Sequence, residues 1–349
     1  MSADPLELPS STQLRRFFTR LDCHFQRAEP REHAYAYLCG LLSHTPPVPT
    51  PREDGRHRLL TTARWSEDAV RDEVRCIVGE RLAASGSVFV LAEEAFVKKG
   101  DNSAGVARQF SSSAGKVENA QLGVFLLQAN AAGSAGVIDR ELYLPACWTE
   151  DPARRERAGI PGGLASRSRR DLALGMLDRT RAAGAPAHWV TAVDPSYGDD
   201  GAFRAALERR RLPYVLPSSH PARPIPASPV AEDFARCHVS RWGGGSYLCF
   251  VPHGTDTEEI SLVASQGGAA ARTLTTARSD AGLERYSVRK WRAWYRHMTL
   301  AMSAQVFLLV SEQRPAKASR LSLAEPSPRP VESAELSCIT AEGTVAYCS

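Results

Sequence analysis

The sequence predicts an α/β (α+β) fold in which a mixed sheet with flanking helices follows a helical N-terminal region. Three observations support this prediction. Apolar residues recur at helical spacing through the first part of the chain. From residue 87 onward, short apolar runs typical of strands replace that pattern. Later, a strand is followed by a helix and another strand, and antiparallel strands joined to such a unit form a mixed sheet.

The N-terminal region, residues 1–84, contains helical patterns on both sides of a proline-rich connector. Ser10 and Ser11 can cap a first helix, whose apolar stripe consists of Leu14, Phe17, Phe18, Leu21 and Phe25. A second helix is predicted over residues 31–42, and the connector follows at residues 46–51. Ser66 can cap a further helix. We interpret its stripe as core packing; the members are Val70, Val74, Ile77, Val78 and Leu82.

Residues 85–311 contain the strand patterns. Strands are predicted at residues 87–91, 121–128, 137–144, 188–193, 213–215 and 247–251. Helical segments are predicted within 151–184 and at 202–211. The stretch rich in Pro and Ser between residues 217 and 229 predicts a loop. Residues 312–349 lack periodicity, and we expect a disordered tail there.

Composition limits the classes of protein to which the chain can belong. The sequence has 349 residues, of which 43% are hydrophobic, enough for a large core. It contains no apolar run of membrane-span length and begins without a signal-peptide pattern, so we expect a cytoplasmic protein without a membrane partner. The eight cysteines lack zinc-site spacing. The net charge of +4 is too small to indicate nucleic-acid binding by itself, so local clusters must provide that evidence.

Two blocks of sequence carry the most specific pattern. The first reads Phe-Val-Lys-Lys-Gly at 96–100 and Gly-Val-Ala-Arg-Gln at 105–109, followed by Gly115, Lys116, Asn119 and Gln121. The second runs from Gly-Leu-Glu-Arg-Tyr at 282–286 into an aromatic and basic helix. Together these blocks resemble the insertion-sequence transposases of the DDE superfamily over residues 14–310. The resemblance implies an RNase H-like core at 85–311 with a trimmed insertion at about 216–245.

The resemblance also implies where catalytic carboxylates should stand. Two divalent metals about 3.5–4 Å apart need a cluster of acids to offset their mutual repulsion. In the resembling family these acids lie at the end of the first strand, at the end of the fourth strand and in the C-terminal helical region. The second position matches Asp194, but the first falls on Ala92 and the third near Ala271. We therefore predict a degenerate site that binds Mg²⁺ only if a metal site survives; no cofactor is otherwise expected.

Nearby acids provide candidates for a residual site. Glu93 and Glu94 follow Ala92 directly, but successive side chains on a strand point to opposite faces, so only one can share its surroundings. The residual catalytic candidates are thus Asp194, Glu93 and Glu94, with Asp194 as a weak metal ligand.

Basic residues suggest a phosphate-binding surface, although solvated helix faces explain them equally well. The predicted contacts are Lys98, Lys99, Arg108, Lys116, Arg289, Lys290 and Arg296, with Arg169 and Arg170 in a wider set. DNA is the partner that the resemblance implies.

Three functions therefore stay open at this point. The chain could be a transposase-like protein defective in DNA cleavage, a DNA-binding or regulatory protein that needs no metal, or a scaffold repurposed for a small-molecule substrate around Asp194. Fold alone does not decide among them.

Overall fold

The computed structural model describes residues 11–43, 55–82, 87–111, 115–185, 187–220, 233–240, 245–311, 336–339 and 345–348. It has a mixed sheet, flanking helices and a helical N-terminal region, which confirms the predicted fold class. The predicted proline-rich connector at 46–51 and residues 221–229 of the loop predicted at 217–229 lie outside the described residues, whereas residues 217 and 218 end a strand.

The helices of the N-terminal region are α1 (Ser11–Asp22), α2 (Ala28–Leu42), α3 (Gly55–Thr61) and α4 (Glu67–Leu82). The predicted apolar stripes of α1 and α4 are buried in the same hydrophobic core as the sheet. Phe17 on α1, for example, packs on Phe307 near the end of the last helix, with ring centroids 5.4 Å apart. The N-terminal helices therefore pack directly on the sheet-containing part of the chain.

The sheet has ten strands among the described residues. Their bounds are β1 (Ser87–Val97), β2 (Ala107–Ser111), β3 (Lys116–Ala129), β4 (Ala135–Leu142), β5 (Ala187–Ala192), β6 (Tyr214–Ser218), β7 (Phe234–Ser240), β8 (Ser246–Pro252), β9 (Leu336–Ile339) and β10 (Val345–Cys348).

The strand order is that of an RNase H-like core with additions on both sides. Three antiparallel strands pair in the order β4, β3, β1, and β5 and β6 continue the sheet parallel to β1. Beyond β6 the antiparallel strands β8, β7, β9 and β10 extend the sheet. On the other side, β2 pairs with the first residues of β3 and forms an edge.

The remaining helices are α5 (Ala146–Thr149), α6 (Pro152–Ala158), α7 (Arg169–Ala182), α8 (Ser196–Asp199), α9 (Gly201–Arg209), α10 (Thr257–Ser279) and α11 (Trp291–Ser311). A capping box between Ser168 and Asp171 begins α7, and the Asp256 side chain caps α10. Within the described part of the chain, no helix is long and apolar enough to cross a membrane.

Several strands differ from the sequence prediction. β1 runs six residues beyond the predicted end at residue 91, and β2 was not predicted. β9 and β10 lie inside the tail for which disorder was expected, where they pair with each other and β9 also pairs with β7. These segments form strands because a neighbouring strand accepts their backbone hydrogen bonds, a long-range effect that local composition does not reveal.

Candidate functional site

The first two acid positions predicted from the resemblance lie at the same end of adjacent parallel strands. Leu91 on β1 pairs with Ala192 on β5, and the Val193 amide donates to the Leu91 carbonyl at 2.8 Å. Ala92 and Asp194 follow these residues. The Ala92 side chain is buried, whereas Asp194 is half-buried. The topology therefore brings these two positions together.

Asp194 takes part in the turn that follows β5. Its Oδ1 accepts a hydrogen bond from the Ser196 amide at 2.8 Å, as in an Asx turn. The turn packs closely against β6, because a Cβ added at Gly198 would lie 2.0 Å from the Pro217 carbonyl oxygen. One carboxylate oxygen of Asp194 thus has a local structural role.

The third position lies on the side of α10 that faces these strand ends. A Cβ added at Gly267 would lie 3.1 Å from the Ala192 carbonyl oxygen, and Arg278 reaches Glu94 at 2.9 Å. Ala271 comes about one helical turn after Gly267 and two turns before Arg278, so all three share one side of the helix. This side therefore presents a methyl group at position 271.

Glu93 is neutralised by the start of α7. Its carboxylate accepts from Arg169 at 2.6 Å and from Arg170 at 3.3 Å, and its side chain is only 6% exposed. Arg170 also donates to the Ser196 carbonyl and lies 4.1 Å from the Tyr197 ring centroid. Burial, with a smaller effect from Glu93, raises the pKa of Tyr197 well above its usual value. Glu93 is therefore the buried centre of a partly exposed ion-pair cluster.

Glu94 points to the other face of the sheet, as the alternation of strand side chains requires. It pairs with Arg278 of α10, whose guanidinium also contacts Glu284 at 2.6 Å. Burial raises the pKa of Glu94, and Arg278 opposes that rise. Because Glu94 is two residues from Ala92, it is the acid that shares the Ala92 face. A guanidinium already neutralises it.

These residues do not fit a pair of divalent metals. Two of the three acid positions predicted from the resemblance, Ala92 and Ala271, have no side-chain oxygen, and the acids beside Ala92 are bonded to arginines. Mg²⁺ prefers several oxygen ligands in near-octahedral geometry, which Asp194 alone cannot supply. Among the described residues, no group of three or more His, Cys, Asp or Glu side chains is placed to hold a metal ion.

The two sequence blocks meet at a cleft of about 200 Å³, called here the lysine cleft. The segment that follows β1 supplies one wall and the segment between α10 and α11 supplies the other. Hydrogen bonds to backbone carbonyl oxygens fix the walls, because the Ala104 amide donates to the Arg289 carbonyl at 2.9 Å and the Asn119 side chain donates to the Lys98 carbonyl at 2.9 Å. The lining residues are Lys98, Lys99, Gly100, Asn102, Ser103, Tyr286, Ser287, Val288 and Arg289.

Lys98 is the most perturbed cation of this cleft. Burial lowers its pKa to about 8, and Glu284 opposes this only in part. The ammonium lies 3.5 Å from the centroid of the Tyr286 ring, whose negative face offsets part of the desolvation cost. Tyr286 is itself fixed by a 3.0 Å hydrogen bond to Gln121. In the part of the chain that the structure describes, no carboxylate lies within ion-pair distance of Lys98.

Replacing Lys98 should therefore stabilise the fold. Since the folded-state pKa is lowered, charged Lys98 destabilises the protein below about pH 8, and the cost fades as pH rises toward the unfolded-state value near 10.4. We expect Lys98→Met to raise the free energy of unfolding by about 1–3 kcal/mol at pH 7 and by less at pH 9.5. Urea unfolding at both pH values measures this. Lys99→Met is the matched control, because Lys99 is exposed; lower stability of Lys98→Met at pH 7 would contradict the prediction.

The other predicted phosphate contacts fall into different surroundings. Arg108 is exposed on β2. Lys116 is also exposed and pairs with Glu118 at 2.8 Å, and the Lys290 ammonium donates to the Arg157 carbonyl. The structure thus places Lys98, Lys99 and Arg289 together, with Arg108 on the neighbouring edge strand.

The surroundings of Arg296 differ from those that the sequence predicts. Its side chain is fully buried, and its guanidinium donates to the carbonyl oxygens of Leu59, Ala63 and Trp65 near the end of α3. The prediction that Arg296 is an exposed phosphate contact is therefore wrong. Arg296 instead joins α11 to the N-terminal helices. Arg169 and Arg170 likewise bind Glu93.

The sequence did not reveal that the Tyr286 ring lines the lysine cleft beside Lys98, or that Arg278 forms an ion pair with Glu94. Tyr286 and Ser287 belong to the second sequence block, so their place in a distinctive motif was the available signal. For the ion pair, the signal was the appearance of an acid at position 94 together with an arginine at position 278. Their spatial proximity required the fold.

The profile of the DDE superfamily endonuclease family matches residues 20–236, which is more than half of the chain. The chain therefore belongs to the DDE superfamily of transposase-like endonucleases. The matched region includes Ala92 and Asp194 and ends before Ala271. A search of curated proteins found no match.

Proposed function

We propose that this DDE-superfamily protein binds DNA through the lysine cleft and does not cleave DNA by the two-metal reaction. The lysine cleft is the observation that supports binding most directly. It combines Lys98, Lys99 and Arg289 on walls held by backbone hydrogen bonds. The family implies DNA as the partner.

The charge of Lys98 supports a phosphate as the occupant. A cation that is partly desolvated and lacks a carboxylate partner in the described region gains a strong interaction when an anion enters. Lys99 and Arg289 are exposed at the same cleft and can contact adjoining phosphates. Asn102, Ser103 and Ser287 add uncharged polar groups that suit phosphate and sugar oxygens.

The loss of cleavage rests on the carboxylate positions. Alanines stand at two of the three predicted acid positions, and Arg169, Arg170 and Arg278 neutralise the neighbouring acids. Protein cations thus lie beside Glu93 and Glu94, where a metal would have to displace them.

A repurposed small-molecule enzyme around Asp194 receives less support. General acid–base chemistry there would use Asp194, Glu93 or Glu94, but hydrogen bonds and ion pairs already engage these groups. We therefore prefer DNA binding.

The salt dependence of DNA affinity tests this proposal. We expect affinity for a duplex to fall steeply with salt, because phosphate contacts release counterions. Lys99→Gln and Arg289→Gln should each reduce the slope of log affinity against log salt by about one. Fluorescence anisotropy with a labelled duplex of mixed sequence measures the slope.

Arg181→Gln is the matched control for this experiment, since Arg181 is exposed on the last turn of α7 and does not line the lysine cleft. Its slope should equal that of the unmodified protein. Absence of binding at low salt, or binding that salt does not weaken, would contradict the proposed function.

A further inference from the structure

An exposed apolar pair lies on the hairpin formed by β2 and β3. Phe110 is 60% exposed and Val117 is 49% exposed, although both are in a regular sheet. The two residues are paired directly across the strands, so their side chains lie side by side on one face. β2 is also an edge strand. The hairpin therefore presents an aromatic ring and a branched aliphatic side chain to solvent.

This pair continues into the cationic surface. The next rung on the same face pairs Arg108 with Asn119, and the Asn119 carbonyl accepts from the Lys98 amide at 2.8 Å. Residues two apart on an antiparallel strand are about 7 Å apart, so Arg108 is one side-chain spacing from Phe110. We call Arg108, Phe110 and Val117 the hairpin patch. It adjoins the lysine cleft across Asn119.

We propose that the hairpin patch stacks on an unpaired DNA base while the lysine cleft holds a neighbouring phosphate. This inference rests on the proposed function and adds a preference for unpaired DNA. An exposed aromatic ring beside cations is the combination that binds single strands, because every base has a π face and the backbone is anionic. Val117 extends the apolar surface, and Arg108 can stack or contact a phosphate.

Charge complementarity favours a nucleic acid over a protein partner on this face. The hairpin patch and the adjoining cleft present the cationic groups of Arg108, Lys98, Lys99 and Arg289. An apolar protein partner would bury those charges without compensation. The open edge of β2 could instead pair with β2 of a second copy, and the experiment includes that outcome.

The test compares a labelled 20-nucleotide single strand with the duplex of the same sequence. Phe110→Ala should weaken single-strand binding about 5- to 100-fold, the loss expected for one stacked base, and change duplex binding less than about twofold. Phe110→Tyr should retain single-strand affinity because it keeps the ring. The slope of log affinity against log salt should stay unchanged in both variants, since neither removes a charge.

Val97→Thr is the matched control. Val97 is 58% exposed at the end of β1, but it pairs with Ala120 and so lies on the opposite face from Phe110. This variant should bind both DNA forms as the unmodified protein does. A comparable loss of single-strand affinity in Val97→Thr would overturn the assignment to the hairpin patch.

Other outcomes separate this inference from the proposed function. If Phe110→Ala binds the single strand with the affinity of the unmodified protein, while duplex binding still depends on Lys99 and Arg289, the stacking inference is overturned and the proposed function stands. Failure of the unmodified protein to bind either DNA form overturns both proposals. Sedimentation velocity addresses the second copy: a dimer that becomes a monomer in Phe110→Ala, with single-strand affinity unchanged, shows that the patch serves self-association and overturns stacking.

Discussion

DNA incubated with this protein and Mg²⁺ or Mn²⁺ is expected to remain uncut. Two-metal catalysis needs ligands that hold both ions while they activate the attacking oxygen and stabilise the leaving one. Ala92 and Ala271 offer no side-chain oxygen, and Asp194 alone cannot offset the repulsion between two divalent ions. Supercoiled plasmid incubated with millimolar concentrations of either metal provides a sensitive measurement, because a single nick relaxes the plasmid.

The control for this assay is Asp194→Ala. Cleavage that persists at the same rate in this variant comes from a contaminating nuclease. Cleavage that disappears in Asp194→Ala would contradict the prediction and would imply that Glu93, Glu94 or a shifted acid of the C-terminal helical region completes a metal site. Glu93→Gln and Glu94→Gln would then identify which acid is responsible.

The general fold could be predicted from local patterns, whereas some strands could not. The apolar composition of runs such as residues 121–128 and 188–193 predicts strands, and the structure confirms strands there as β3 and β5. β1 extends through Glu93 and Glu94, whose charges suggest the end of a strand. Their arginine partners are contributed by α7 and α10, so the stabilising contacts are distant in sequence. β2 has a mixed polar composition and depends on pairing with β3.

The lysine cleft was predictable as a set of cations but not as a cleft. Lys98 and Lys99 stand out within the first sequence block, and Arg289 stands out within the second. Their proximity depends on the Ala104–Arg289 backbone contact, which joins residues far apart in the chain. The sequence also cannot show that Lys98 lies against the Tyr286 ring.

Arg296 illustrates the limit of reading charge from sequence alone. It follows Arg289 by seven residues, so a helical pattern would place both on one side. The segment that precedes α11 is not helical at Arg289, however, and the two guanidinium groups have opposite environments. One is exposed at the lysine cleft, and the other is enclosed by the carbonyl oxygens near the end of α3.

Substituting Arg296 should therefore destabilise the fold, whereas substituting Arg289 should leave its stability almost unchanged. We expect Arg296→Met to lower the free energy of unfolding by about 3–5 kcal/mol, because it leaves buried carbonyl oxygens and part of Glu67 without their donor. Arg289→Met should change it by less than about 0.5 kcal/mol, since Arg289 is exposed. Urea unfolding of both variants gives these values.

For DNA binding the roles should be reversed, with an effect from substituting Arg289 and none from substituting Arg296. Arg289→Met removes a cation from the lysine cleft and should reduce the salt slope by about one, while Arg296→Met, measured where it is fully folded, should bind DNA with the slope of the unmodified protein. The methionine keeps an apolar stem at both sites, so the comparison isolates the guanidinium. A stable Arg296→Met protein with weakened DNA binding would refute the structural role of Arg296 and restore it as a phosphate contact.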